Sequence, residues 1–114
     1  MVLVIGGAGS GKLDYVKSLG YSEDEIANGR LNDCKVVYNL QNIVFGDPER
    51  APELLEALLA KEVVVCNEVG SGIIPLTQRE RLAREATGRL CIQLAARAAR
   101  VVRLVCGIPA VIKE

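Results

Sequence analysis

The chain has 114 residues, half of them hydrophobic and a quarter charged. That is enough for one core, and we read residues 1–114 as one domain. Fourteen basic residues balance fourteen acidic ones, with no Lys/Arg runs, which argues against a nucleic-acid or membrane surface. No apolar run approaches the roughly 18 residues of a membrane span, and Val2–Ile5 is too short for a signal-peptide core, so the expected location is cytoplasmic.

In chain order, Val2 to Ile5 read as a buried strand. They run into Gly6-Gly7-Ala8-Gly9-Ser10-Gly11-Lys12, and a helix-compatible segment follows from Leu13 to Leu19. Gly6-x-x-x-x-Gly11-Lys12 between a strand and a helix is the pattern of a phosphate-binding loop. Glycines let several backbone N–H groups converge on one anion, the helix start adds its positive end, and Lys12 adds a full charge. The next position of the pattern is a Ser or Thr whose hydroxyl helps hold Mg²⁺; here it is Leu13. Phosphate binding is therefore expected, with weak support for Mg²⁺.

Ser22 and Glu25 form a capping-box pair that predicts a turn or two of helix, stopped by Gly29. Lys35–Asn39 is the second strand. Asp47-Pro48 starts the next helix with a cap and a first-turn proline, with Pro52 able to shift that start. Leu54, Leu55, Leu58 and Leu59 form its buried face. Glu62–Cys66 is a third, nearly continuous apolar strand, as expected where both faces are covered. A glycine turn follows, Asn67-Glu68-Val69-Gly70-Ser71-Gly72, whose Gly70 and Gly72 serve backbone conformation more readily than ligand contact.

Thr77 and Glu80 form a second box, opening a long helix to about Ala98 with Leu82, Ala86, Leu90 and Leu94 as its apolar stripe. Gly88 interrupts it, as a glycine that allows close packing can. Val101–Cys106 is the fourth strand, Gly107-Ile108-Pro109 turns the chain, and Ala110–Ile112 adds a short edge strand. Strands alternating with helices give an α/β class with a mainly parallel sheet. Ligands in such sheets bind beyond the carboxyl ends of the strands. That edge gathers the Gly6 loop, Asn39–Asn42 and Asn67–Gly72.

Cys34, Cys66, Cys91 and Cys106 show no C-x-x-C pairing, so a zinc site is not expected and buried, reduced thiols are. The chain has no histidine, which removes the usual general base and nucleophile activator. Catalysis must use other side chains or backbone groups.

From Glu62 onward the chain resembles the bifunctional adenosylcobinamide kinase / adenosylcobinamide-phosphate guanylyltransferase family. The resemblance rests on Asn67-Glu68-Val69-Gly70-Ser71-Gly72-Ile73-Ile74-Pro75, on Arg81-Leu82-Ala83-Arg84 and Thr87-Gly88-Arg89-Leu90, on the Gly107-Ile108-Pro109 ending, and on the Gly6–Lys12 loop. It implies a three-layer P-loop NTPase-like α/β fold, ATP or GTP as nucleotide, a late cobalamin-assembly role with a corrinoid acceptor, and a homo-oligomer. Family members phosphorylate a cobinamide hydroxyl and then attach GMP through a histidine.

This chain departs from the family. It is shorter between the loop and the second strand, where the family's histidine lies, and it has none. Leu13 replaces the hydroxyl, Asn39 replaces a nucleotide-contacting Glu, and Cys91-Ile92 replaces a polar pair.

The candidate nucleotide-binding residues are thus Gly6, Gly7, Ala8, Gly9, Ser10, Gly11, Lys12, Leu13, Asn39 and Glu68, with Lys12 the candidate catalytic residue. Glu68 reads equally as a group for water-held metal or nucleotide and as a carboxylate tied to its own turn. Asn39, being neutral, is a poor metal anchor. Arg79, Arg81, Arg84 and Arg89 read either as a clamp for phosphate or corrin side groups or as a solvated face. Asp14 and Asp47 read as helix-start residues. Three functions stay open: a minimal cobinamide-kinase-like phosphotransferase, a nucleotide- or corrinoid-binding protein without turnover, and a general small-molecule or nucleoside-monophosphate kinase. The short chain with no evident lid argues against the last.

Overall fold

The structure is a computed structural model that describes residues 1–68 and 77–114. Gly70, Ser71, Gly72 and Ile73-Ile74-Pro75, singled out in the sequence, lie outside the described residues.

The elements are β1 (Val2–Gly6), α1 (Lys12–Ser18), β2 (Ile26–Asn28), β3 (Val36–Tyr38), α2 (Leu40–Gly46), α3 (Leu55–Leu59), β4 (Val63–Asn67), α4 (Gln78–Arg97), β5 (Arg100–Val105) and β6 (Ile108–Lys113). Short 3₁₀ segments cover Glu23–Glu25 and Pro48–Leu54. The strands lie in the order β2-β3-β4-β1-β5-β6. All neighbours pair in parallel except β5 with β6.

Strand alternation sorts the core into two faces. Leu3, Val64, Cys66 and Val101 pack with Leu40, Val44, Leu58, Leu90 and Leu94 of α2–α4. Val4, Val63, Val65, Val102 and Leu104 pack with Val16 and Tyr15 of α1. Helices therefore cover both faces, and the mainly parallel, three-layer α/β expectation holds.

Five local expectations are corrected. The Ser22–Glu25 box exists, with Ser22 N–H donating to Glu25 Oε1 at 3.1 Å. It closes only a 3₁₀ turn, because β2 begins at Ile26: Ala27 is fully buried, and Ile26, Ala27 and Asn28 pair with Val36, Val37 and Tyr38. Next, the second strand ends at Tyr38, and Asn39 instead caps α2, whose Leu40 and Val44 are buried one turn apart. Asp47 makes no side-chain cap. Pro48–Leu54 stays 3₁₀ around Pro52, and α3 starts only beyond it. On α4, capped as expected by Thr77 Oγ1 accepting from Glu80 N–H, the buried stripe is Ala83, Thr87, Leu90 and Leu94. Leu82 is half exposed. The stripe accommodates Thr87 because its hydroxyl donates to the Ala83 carbonyl at 2.8 Å. The last turn is Cys106-Gly107, both at positive φ (49° and 77°) as a two-residue hairpin turn demands; Ile108 and Pro109 already belong to edge strand β6.

Of the cysteines, only Cys66 is fully buried; Cys34 and Cys91 are half-buried and Cys106 is exposed on the hairpin turn.

Gly88 also differs from expectation. A Cβ built there meets nothing within 4 Å, so no close packing requires the glycine. Gly88→Ala should therefore stabilise the protein by about 0.5–1 kcal/mol, by removing backbone entropy from the unfolded chain. A melting temperature that fails to rise would contradict this.

Candidate functional site

The site is built at the carboxyl edge of the sheet. β1 ends at Gly6, flanked by β4 and β5, with Gly6 opposite Asn67 on one side and Leu104 on the other. A Cβ on Gly6 would lie 2.5 Å from Ser10 Oγ and 2.9 Å from the Leu104 carbonyl oxygen, so the loop folds back over its own first residue. Ser10 N–H donates to Gly7 O at 3.2 Å, and Gly107 N–H donates to Ser10 O at 2.9 Å. The β5–β6 turn thus braces the loop from outside. Gly11, at φ 92°, occupies the N-cap of α1.

Lys12 opens α1 and is 3 % exposed. Its Nζ donates to Gly7 O at 2.5 Å and to Ser10 Oγ at 3.4 Å, so the ammonium lies inside the loop. Burial lowers its pKa, and the Glu68 carboxylate pulls the other way. An open concavity of about 270 Å³ is lined by Gly9, Ser10, Gly11, Lys12, Leu13, Asp14 and Tyr38. Leu13 and Tyr38 also line a neighbouring cleft of about 180 Å³ with Lys17, Glu23, Ile26 and Asn28. Leu13 is therefore an apolar wall between the two.

The other two predicted segments do converge on this edge. Asn39, in the left-handed conformation (φ 59°), caps α2 without a side-chain bond to the helix's backbone N–H groups. Its Nδ2 donates to Asn28 Oδ1 at 2.8 Å, while its Oδ1 accepts from Gln41 Nε2 at 3.0 Å. Gln41 Oε1 accepts from Asn67 N–H at 3.0 Å. This chain of amides joins the ends of β2, β3 and β4. Gln41 is buried, with both its amide nitrogen and its amide oxygen bonded, and sequence reasoning missed it: a single Gln inside an apolar helix carries no local signal. Gln41→Leu leaves the Asn67 N–H and the Asn39 carbonyl without these partners and should cost about 1–3 kcal/mol. An unchanged urea midpoint would refute that role.

Glu68 follows β4, and its N–H donates to Gly6 O at 2.8 Å. Its carboxylate is gripped by Arg103 of β5, with Nε to Oε1 at 2.5 Å and Nη2 to Oε2 at 3.1 Å. Arg103 was also absent from the sequence reading, because the contact spans 35 residues. The α4 arginines are partly committed elsewhere: Arg79 donates to Gly46 O at 3.1 Å, and Arg89 pairs with Glu85 at 3.3 Å one turn away. Cys66 is fully buried, its Sγ donating to the Asn67 carbonyl at 3.4 Å, and the neighbouring Cys91 and burial push its thiol pKa up.

A divalent cation fits these residues poorly. Leu13 offers no oxygen, both Glu68 oxygens are held by Arg103, and among the described residues no three His, Cys, Asp or Glu side chains cluster. Among the described residues no helix is long and apolar enough to cross a membrane.

Comparison with known proteins agrees with the motif reading. Residues 41–112, more than half of the chain, match the family described as cobinamide kinase / cobinamide phosphate guanyltransferase. The matched segment begins beyond the glycine loop. A bifunctional adenosylcobalamin biosynthesis protein, CobP, of Pseudomonas aeruginosa is 31% identical over 99 residues, covering 81% of this chain. The chain spans 57% of that relative's length. Taken with the P-loop-type α/β fold, these matches establish that the chain belongs to the cobinamide kinase / cobinamide phosphate guanyltransferase family.

Proposed function

We propose that the Gly6–Lys12 loop binds the phosphates of a purine nucleotide, ATP or GTP, and that the chain carries the kinase side of the family's chemistry. The observation behind this reading is the buried Lys12 ammonium inside a braced glycine loop, at the sheet edge that also carries Glu68 and Asn39. Phosphoryl transfer needs positioning and charge neutralisation more than covalent catalysis, so a chain without histidine can perform it. An acceptor hydroxyl oxygen forms the bond to the terminal phosphorus, the bond to the bridging oxygen breaks, and the hydroxyl proton leaves to water. Lys12 neutralises charge developing on the phosphate oxygens. The acceptor in this reading is a cobinamide-type corrinoid.

The test is calorimetric titration with GTP and ATP, with and without Mg²⁺, followed by a phosphorylation assay on cobinamide. Binding without any phosphorylated product would favour the second reading, a nucleotide- or corrinoid-binding protein without turnover. The occupied Glu68 and the apolar Leu13 are the observations that support that alternative.

Guanylyl transfer by the family's histidine route is closed to this chain. Incubation with labelled GTP should leave no acid-labile protein adduct; an adduct on Lys12 would show that another nucleophile has taken over.

A cytoplasmic homo-oligomer remains part of the proposal. Edge strand β6 offers a surface for it, with Ile108, Val111 and Ile112 all exposed. Light scattering would test the assembly.

A further inference from the structure

Nucleotide-binding loops of this type ordinarily share their phosphates with Mg²⁺, held by the hydroxyl after the lysine and by an acidic residue at the end of a neighbouring strand. Here the acidic residue exists. Glu68 follows β4, the strand directly beside β1, and its own N–H is bonded to Gly6. Yet the carboxylate faces a guanidinium instead of an open coordination position. Arg103 meets it with two hydrogen bonds, the planar fork-to-carboxylate geometry that arginine makes and a hydrated metal does not. Glu68 in turn raises the Arg103 pKa through that hydrogen bond and its charge.

Position matters as much as pairing. Arg103 is opposite Ile5 on β1, one residue before the loop begins. Three residues later the chain turns at Cys106-Gly107, whose backbone braces Ser10. Glu68 is also close enough to influence Lys12. Glu68, bonded through its N–H to Gly6, thus carries Arg103 beside the first residue of the loop, and with Lys12 the three groups sum to one net positive charge.

Resting on the nucleotide reading above, we infer that Arg103 is a resident cation that replaces the divalent metal: paired with Glu68, it supplies from the protein the second positive charge that nucleotide phosphates need beside Lys12. Leu13 belongs to the same arrangement. With no metal to hold, a hydroxyl at this position is dispensable, and the leucine side chain serves as an apolar wall next to Tyr38. The Arg103 and Glu68 side chains are both partly exposed, so the pair can open toward an incoming polyanion without uncovering a buried charge.

The experiment is titration of the whole chain with GTP and with ATP, each in chelator and in excess Mg²⁺. Wild type, Arg103→Ala, Arg103→Lys and Arg103→Ala/Glu68→Ala are compared, with circular dichroism confirming the fold of each. Wild-type affinity should be the same in chelator and in Mg²⁺. Arg103→Ala should bind about tenfold more weakly in chelator, the loss expected for one charge-assisted phosphate contact, and Mg²⁺ should recover much of it through the freed Glu68. Removing Glu68 as well should abolish that recovery. Arg103→Lys should retain binding in chelator because it keeps the charge. Arg103→Ala binding like wild type in chelator would overturn the inference, as would a wild type that needs Mg²⁺ as much as the variant. In either case the nucleotide reading stands. Absence of nucleotide binding by every protein under every condition overturns both.

Discussion

Lys12→Ala should weaken GTP or ATP binding by at least about tenfold, because a charge-assisted contact to phosphate is lost. In the structure the ammonium rests on Gly7 O and Ser10 Oγ, and these loop oxygens keep it ready at the site until a stronger acceptor arrives. The pH dependence has a definite sign. Burial lowers the Lys12 pKa, and only the charged form attracts phosphate. Affinity should therefore be full near neutrality and fall as pH rises through the lowered value, before an ordinary lysine would titrate. Lys12→Met should show no such alkaline fall. Calorimetry across that range checks both effects, and equal affinity in wild type and Lys12→Ala would sink the phosphate reading of the loop.

How much of this was legible depends on whether the cause was local. Val2–Lys12 was readable because an apolar run and a glycine spacing sit side by side. The start of α4 was readable because Thr77 and Glu80 meet across one turn, as the bond from Glu80 N–H to Thr77 Oγ1 shows. Ser22 and Glu25 gave the same local signal and misled, since the box closes a 3₁₀ turn as well as a helix. What ended it was tertiary: Ala27 finds its burial by pairing beside β3. Leu90 and Leu94 of the α4 stripe were readable, but its first half was one residue out for a similar reason, because Thr87 looks polar until its hydroxyl is seen bonded within the helix.

The site divides the same way. The loop and Glu68 were visible as motifs, whereas Arg103 and Gln41 acquire meaning only through strand register and helix packing. Arg103 in particular sits within an apolar strand where an isolated charge reads as an ordinary solvent-facing residue. Its partner is set by the parallel order β4-β1-β5, which places the ends of two strands far apart in sequence around one loop.

Gly6→Ala and Gly11→Ala should both damage the loop, for different reasons, while Gly7→Ala should not. At Gly6 the added methyl would sit 2.5 Å from Ser10 Oγ and 2.9 Å from the Leu104 carbonyl oxygen. The serine hydroxyl can rotate aside, but the carbonyl belongs to β5 and cannot move without disturbing the sheet. At Gly11 the methyl would meet Gly107 Cα at 3.1 Å, and φ of 92° is strained for any L side chain. Overpacking of this kind costs about 1–3 kcal/mol, so each variant should melt several degrees lower than wild type. Nucleotide affinity should fall further than stability alone accounts for, because moving Ser10 or Gly107 unseats the loop's brace and with it the oxygens that hold Lys12. Gly7 is the control: a Cβ there meets nothing within 4 Å, its φ is negative or extended, and its stability should stay close to wild type. Thermal melts and titrations on the three variants separate the cases, and a Gly6→Ala protein that matches Gly7→Ala in both measurements would mean that the loop does not close on Leu104 as described.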